Sequence, residues 1–281
     1  MSTPNPKAIV IRDITELPEM HQLEVMQKDV WGVEDLEVYP ALAFRPQVAV
    51  GAVLMGAFYE DQMVGFVFGF PGVVNGETIL HSDMLAVKQE YRRCGLGFLL
   101  KLAQREKALQ IGYKKITWTF DPLQLRNANL NFSRLGVTST SYLINFYGET
   151  SSFLHSSGTD RLWVDWMIES ERVRERVERG LLNKLSFEEL KETQVLVGVG
   201  ADNQPTAAAL DQLSNRVVIE IPSDINELVK RADGTAQRWR ETTRNAFTCT
   251  LDAGYVVEEF VAIDRQSQSV GCYLLRKQQT S

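Results

Sequence analysis

The sequence contains no apolar run of the roughly 20 residues that a membrane-spanning helix needs. Its first residues, MSTPNPKAIV, lack the charged-then-apolar pattern of a secretion signal, so we expect a cytoplasmic protein with no membrane partner. The formal net charge is -6, so no overall basic field exists that would attract nucleic acid. Any anion site must therefore be local.

Cysteine is scarce. The three cysteines, Cys94, Cys249 and Cys272, are odd in number and have neither metal-site nor redox-motif spacing. We therefore expect reduced thiols, no disulfide and no metal cofactor.

The first half of the chain alternates strand and helix patterns. AIVIRDI predicts a strand, and the apolar spacing from Leu17 to Trp31 predicts a helix. Alternating apolar residues around Glu60–Gln62 predict a hairpin, and Ile79–Val87 predicts a third strand of the same sheet.

The next segment begins with a predicted helix. Its buried stripe would comprise Leu96, Leu99, Leu102, Ala103 and Leu109, with the polar Lys101, Gln104 and Arg105 opposite. A strand, KKITWTF, follows, and then a helix over Asn127–Leu135 that Gly136 ends. SYLINFYG and DRLWVDWMI predict two further strands.

The charged stretch ESERVRERVERG, at 169 to 180, is typical of a solvated connecting helix. We place a domain boundary there, which gives a domain at 1–170 and a smaller α/β region at 171–281. This second region is predicted to contain the strands VLVGVG, RVVIEIP, YVVEEFVAI and SVGCYLLRK, and a helix that Asp224 caps.

The stretch EYRRCGLGFLLK combines adjacent arginines with two glycines before a helix, a pattern that favours a phosphate-bearing ligand. It lies in a predicted β-α-β unit with Asp121 at the tip of the second strand, as in a dinucleotide-binding fold. Against this interpretation, Leu100 stands where the third glycine would be, and Pro122 follows the acid at once.

The longer motif R-x-x-G-x-G, from Arg92 to Gly97, directly follows the strand segment LAV and its hairpin. Together with the predicted order of elements over residues 8 to 168, it resembles the pyrophosphate loop of the GNAT acyltransferase superfamily. DPLQLRNANLNFSRLG and TDRLWVDW are similar to a bacterial branch of predicted GNAT enzymes with an added C-terminal region. The resemblance implies an α/β (α+β) fold with a central mixed, mostly antiparallel sheet flanked by helices.

The resemblance also implies acetyl-CoA, or another short acyl-CoA, as the co-substrate. Backbone amides of the loop and of the strand end would hold it, together with the two arginines and an asparagine of the later helix. The implied cofactor-binding residues are Leu85, Ala86, Val87, Arg92, Arg93, Cys94, Gly95, Leu96, Gly97, Phe98 and Asn127. A helix cap is the alternative interpretation of Asn127.

Acyl transfer to an amine requires a base for the ammonium group. A period of two places Ile79, His81, Asp83, Leu85 and Val87 on one face of the predicted strand. His81 and Asp83 occupy positions similar to those of the two base-relay histidines of arylalkylamine acetyltransferases. We therefore predict His81 as the base, assisted by Asp83, with a hydrogen-bonded polar pair as the alternative.

The resemblance fails at the proton donor for the departing thiolate. Many family members carry a tyrosine four residues before the glycine that ends this helix, but that position is Phe132 here. We predict Tyr142, or alternatively Tyr147, as the acid; a thiolate that leaves unassisted is the other option.

The predicted activity is transfer of a short acyl group from CoA to a primary amine of a small molecule. Two alternatives are a catalytically lapsed acyl-CoA sensor, suggested by Phe132, and a dinucleotide-binding oxidoreductase. The C-terminal region is compatible with covering the acceptor pocket, with forming a homodimer or with being a partial second acyltransferase fold.

Overall fold

A computed structural model describes residues 8–148, 158–180, 190, 192–265 and 268–278. The chain divides into two compact units. The first extends to Trp118 and includes Met167–Glu169, and the second begins at Thr119 and contains most of the remaining chain. The predicted boundary near residue 170 stays a prediction.

The first unit is built on antiparallel strands. β1 (Val10–Asp13), β2 (Val53–Tyr59), β3 (Gln62–Val74) and β4 (Glu77–Val87) pair in that order. β5 (Lys115–Phe120) runs parallel to β4. The predicted hairpin is confirmed: Glu60 and Asp61 connect β2 to β3 with positive φ angles, as a two-residue turn requires.

Helices pack on both faces of this sheet. α1 (Leu17–Trp31) and α2 (Ala41–Ala49) cover one face, where Phe66 and Phe68 of β3 enter the core with them. α3 (Leu96–Ile111) covers the other face, beside Val67. α2 was not predicted from the sequence; it contains Pro46, a residue that is usually excluded from helix interiors.

The predicted orientation of α3 is wrong. Leu99 is exposed, whereas Lys101, Gln104 and Arg105 are buried together with Leu96, Leu100 and Ala108. These polar side chains are buried because each has hydrogen-bond partners inside the unit, such as the Ile168 carbonyl oxygen that accepts from Arg105 Nε at 2.8 Å.

The second unit also contains a mostly antiparallel sheet. Its order is β7 (Arg161–Met167), β6 (Thr138–Leu143), β11 (Tyr255–Arg265), β12 (Gln268–Lys277), β10 (Arg216–Pro222), β8 (Gln194–Val199) and β9 (Pro205–Ala207). β10 and β8 are parallel, and the other pairs are antiparallel. The fold class is thus the predicted mixed α/β one.

The helices of this unit include α4 (Leu125–Ala128), α5 (Glu171–Val177), α6 (Ile225–Arg231) and α7 (Thr235–Asp252). A π-helical segment, Asn129–Leu135, continues α4 and ends at Gly136, as predicted. The predicted cap of α6 is confirmed, because Asp224 accepts hydrogen bonds from the amides of Asn226 and Glu227.

Candidate active site

The last third of β4 is offset by a bulge at Asp83. Ser82 pairs with Gly69 of β3, but Met84 pairs with Phe68, so two steps on β4 match one step on β3. An extra residue of this kind exchanges the faces of all residues beyond it. The prediction that His81, Leu85 and Val87 share one face is therefore wrong.

The two faces carry different groups. His81 lies on the side of α1 and α2, with its ring centroid 5.4 Å from that of Phe70. Leu85 and Val87 instead pack with Leu96 and Leu100 on the side of α3.

The edge of β4 opposite β3 is open beyond the bulge. Among the residues that the structure describes, the ladder to β5 joins Leu80 to Ile116 and His81 to Thr117, and no strand pairs with this edge beyond them. Since the Lys88 amide donates to the Val64 carbonyl of β3, the alternation of an antiparallel pair directs the main chain of Ala86 toward β3. The main chains of Leu85 and Val87 face the open edge. Of the three predicted strand contacts, the main chain of Leu85 and the Val87 amide can meet a ligand there, while the Val87 carbonyl accepts a hydrogen bond from Arg92 Nε.

The glycine turn connects this edge to α3. A 3₁₀ segment, Gln89–Cys94, leads into Gly95, which has φ 73°. A side chain is disfavoured at this angle, although a Cβ would meet nothing within 4 Å. α3 begins at Leu96, and its first described backbone hydrogen bond runs from the Phe98 amide to the Gly95 carbonyl at 3.0 Å. The amides of Leu96 and Gly97 precede that bond at the helix start. Such amides are suited to bind an anion.

The side chains of the loop differ in the contacts that they make. Arg92 Nε donates to the Val87 carbonyl oxygen at 3.0 Å, and its NH2 group donates to the Val30 carbonyl at 3.4 Å. Arg92 thus braces the loop against β4 and the end of α1. The side chain of Arg93 lies outside the described part of the structure. Cys94 is half-buried.

His81 is half-buried, and its Nδ1 lies 3.0 Å from the Thr117 hydroxyl oxygen. Burial lowers the pKa of the His81 imidazole to about 4, and the charge of Lys101 adds to this effect. The imidazole is therefore neutral at physiological pH and able to accept a proton. Desolvation raises the pKa of the Asp83 carboxyl, although part of that residue stays exposed.

A polar cluster that sequence reasoning missed lies beneath β4. Lys101 Nζ donates to Ser82 Oγ and to Gln104 Oε1, each at 2.9 Å, and lies 3.7 Å from the ring centroid of Trp118. Burial lowers the pKa of the Lys101 ammonium well below its usual range. This cluster fastens α3 to β4 and β5 where those strands part. Because Lys101 shares its helix face with Gln104 and Arg105, the sequence pattern gives no signal that this face is buried.

The predicted proton donors lie in the second unit. Phe132 is fully buried, with its ring centroid 6.1 Å from that of Phe120 and 5.6 Å from that of Tyr273. This position is thus part of an aromatic core. Tyr142 donates its hydroxyl proton to Asp160 Oδ2 at 2.8 Å. Burial and the Asp160 carboxylate raise the pKa of Tyr142 above its usual value, which makes it a weaker acid.

Asn127 is exposed on α4. The alternative that it caps this helix is wrong, because α4 begins at Leu125 and Gln124 holds the cap position. The described residues contain no cluster of three or more side chains suited to hold a metal ion. None of the described helices is both long and apolar enough to cross a membrane.

Residues 17–136 match the model of the Acetyltransferase (GNAT) family. No curated protein matches the chain. Among solved structures, the ribosomal-protein-S18-alanine N-acetyltransferase from Escherichia coli is similar at 16% identity and TM-score 0.45, over 58% of this chain and 95% of that one. The aminoglycoside 6'-N-acetyltransferase from Enterococcus faecium is similar at 16% identity and TM-score 0.44, over 58% of this chain and 98% of that one.

A third similar structure is that of Arabidopsis thaliana Naa50 with a bisubstrate analogue, at 16% identity and TM-score 0.45 over 56% of this chain and 97% of that one. The family match covers the open edge of β4, the glycine turn and α3. This segment of the chain matches the GNAT acetyltransferase family, and the match supports acyltransferase activity.

Proposed function

We propose that this GNAT acyltransferase transfers an acetyl or other short acyl group from CoA to a primary amine of a small molecule. The observation that carries the proposal is the open edge of β4 directly before the Gly95 turn. An extended amide chain that ends in a pyrophosphate fits this order of features, since a free strand edge binds extended amides and a helix start binds phosphate.

Acyl-CoA, when bound, supplies the thioester that the amine attacks. The main chain of Leu85 and the Val87 amide would hold its amide-bearing arm, and the amides of Gly95–Gly97 would hold its pyrophosphate. Arg92 would act mainly as a brace for this loop, because two of its donor groups already bind backbone carbonyls.

His81 is the proposed base. Its neutral imidazole accepts the proton of the acceptor ammonium, directly or through water, and its contact with Thr117 orients the ring. Asp83, at the bulge beside it, would attract the ammonium group once ionised. Because a base with a pKa near 4 is weak, we expect the contribution of His81 to lie toward the lower part of the usual range.

The leaving thiolate needs no strong acid, since the pKa of a free thiol, about 8.5, makes it a good leaving group. Tyr142 remains a proposed donor, but its hydrogen bond to Asp160 favours an unassisted departure. The transfer is direct, so Cys94 carries no acyl group and Cys94→Ala should retain activity.

The test is a screen of primary amines with acetyl-CoA, in which thiol release and the product mass are both measured. We expect release of CoA together with a product heavier by one acetyl group. Binding of acetyl-CoA without acylation of any primary amine would contradict this proposal and favour the sensor alternative.

A further inference from the structure

Charged side chains of the second unit form a group that we call the arginine cluster. Its members are Asp121, Asp160, Arg161, Arg240 and Arg244. Arg240 is 1% exposed and binds Asp121 through two hydrogen bonds, of 2.7 Å to Oδ1 and 3.0 Å to Oδ2. This two-pronged geometry occupies both carboxylate oxygens.

Asp160 is 0% exposed, and both of its carboxylate oxygens also accept hydrogen bonds. Arg244 donates to its Oδ2 at 2.8 Å and to its Oδ1 at 3.0 Å. The Tyr142 hydroxyl donates to Asp160 Oδ2 at 2.8 Å, and the Asn145 amide donates to Asp160 Oδ1 at 3.0 Å. The two carboxylates of the cluster are thus each matched by one guanidinium, and one arginine is left over.

That arginine is Arg161, the first residue of β7. None of the described carboxylates forms an ion pair with it, and its Nε is buried with no hydrogen-bond partner among the described residues. Its Cζ lies 5.1 Å from the ring centroid of Tyr147, which is 47% exposed. Arg161 as a whole is partly exposed, although its Nε is buried.

Burial lowers the pKa of Arg161, because a charge away from water is disfavoured, although Asp121 and Asp160 offset part of this effect. A guanidinium stays charged under ordinary conditions, so the cluster carries a net charge of about +1. A buried donor left unsatisfied costs free energy that a matching acceptor would recover.

We propose that Arg161 binds the carboxylate of a small monoanionic ligand. The planar fork of arginine matches a carboxylate, and one surplus positive charge matches one negative charge. A phosphate, with a charge of about -1.5 to -2, would leave the cluster negative. The Tyr147 hydroxyl, 3.4 Å from the Thr119 hydroxyl, is a further polar group beside Arg161. This site goes beyond the proposed acyl transfer and does not depend on it.

The test is NMR of the full chain labelled with ¹⁵N-arginine, without acyl-CoA. The Nε–Hε signal of Arg161 is assigned by its loss in Arg161→Lys. Acetate, propionate and benzoate are titrated, each against its amide: acetamide, propionamide and benzamide. Because the probes have few atoms, we expect dissociation constants on the order of millimolar for the acids. Only the acids should shift the Arg161 signal.

The variants separate the site from general charge effects. Arg161→Met should weaken binding of the acids, measured by ligand-observed NMR, by about tenfold or more. Arg179→Met, which removes an exposed arginine paired with Glu171, should leave binding unchanged. The proposal would be overturned if no acid shifted the wild-type Arg161 signal, or if the amides shifted it as much as the acids do. It would also be overturned if folded Arg161→Met bound the acids as tightly as the wild type.

Discussion

His81 and Leu85 lie on opposite faces of β4, although four residues separate them, because Asp83 is an extra residue in the strand. His81 faces α1 and α2, while Leu85 packs with α3. The same bulge occurs where β4 parts from β5. Because of this one extra residue, the proposed base points away from α3, whereas the side chains at the end of β4 pack against α3.

Replacing the proposed base should slow the reaction. We expect His81→Ala to lower kcat/KM by about 100-fold, the lower end of general-base contributions. In the wild type, protonation of His81 should lower kcat/KM only as the pH falls toward its pKa of about 4. The measurement is the pH profile of kcat/KM for both proteins. His21→Ala, which changes an exposed histidine beside Glu24, is the matched control. If kcat/KM of the wild type fell at the ordinary histidine pKa, and His81→Ala lacked that fall, the lowered pKa that burial gives His81 would be contradicted.

A side chain at the glycine turn should weaken acyl-CoA binding. Gly95→Ala places a Cβ at φ 73°, which should cost about 1 kcal/mol of stability and displace the amides of the turn. We expect KM for acetyl-CoA to rise about tenfold. Gly32→Ala is the control. Gly32 also has a positive φ, of 65°, and a Cβ there would likewise meet nothing within 4 Å, but Gly32 lies at the end of α1 and not in the turn. Equal KM values for the two variants would show that the turn does not bind the co-substrate.

The buried lysine should make stability depend on pH. The folded-state pKa of Lys101 is lowered, so the unfolded chain binds more protons and wild-type stability rises with pH until about 10.4. Lys101→Met removes this dependence. It should raise the free energy of unfolding at pH 6 by on the order of 1 kcal/mol, and by less at pH 9.

Urea unfolding at both pH values measures this effect. Lys107→Met, which breaks a partly exposed pair with Asp13, serves as the control and should show no comparable gain at pH 6. A Lys101→Met protein less stable than the wild type at pH 6 would mean that the ammonium contacts with Ser82, Gln104 and Trp118 outweigh its desolvation.

Breaking a buried ion pair of the arginine cluster should be costly. Arg240→Met leaves the buried Asp121 carboxylate without its guanidinium, and we expect a loss of about 3–5 kcal/mol. Arg276→Met breaks the exposed pair with Glu258 and should cost less than about 1 kcal/mol. The measurement is thermal and urea unfolding of both variants, and similar losses would refute the assigned burial of the pair.

Local patterns predicted most of the elements. The helix Leu17–Trp31 has the predicted bounds, and the hairpin and the Asp224 cap are confirmed, since each depends on neighbouring residues alone. The bulge at Asp83 was not predictable, because an extra residue leaves the strand pattern intact and appears only in its register against β3. For the same reason, the face of His81 was predicted wrongly relative to Leu85.

Polar residues in tertiary contacts were the second source of error. Lys101 and Gln104 read as a solvated face of α3, but their partners, Ser82 and Trp118, come from strands that the helix pattern does not reveal. Likewise, nothing in the sequence distinguishes Arg161 from an ordinary surface arginine. Its significance depends on Asp121 and Asp160 being occupied by two other arginines.

Calorimetric titration of the full chain with acetyl-CoA, with NADH as the parallel ligand, tests the central claim most directly. The open edge of β4 and the Gly95 turn predict micromolar binding of acetyl-CoA and no binding of NADH. Absence of acetyl-CoA binding by the folded protein, or binding of NADH instead, would contradict the account.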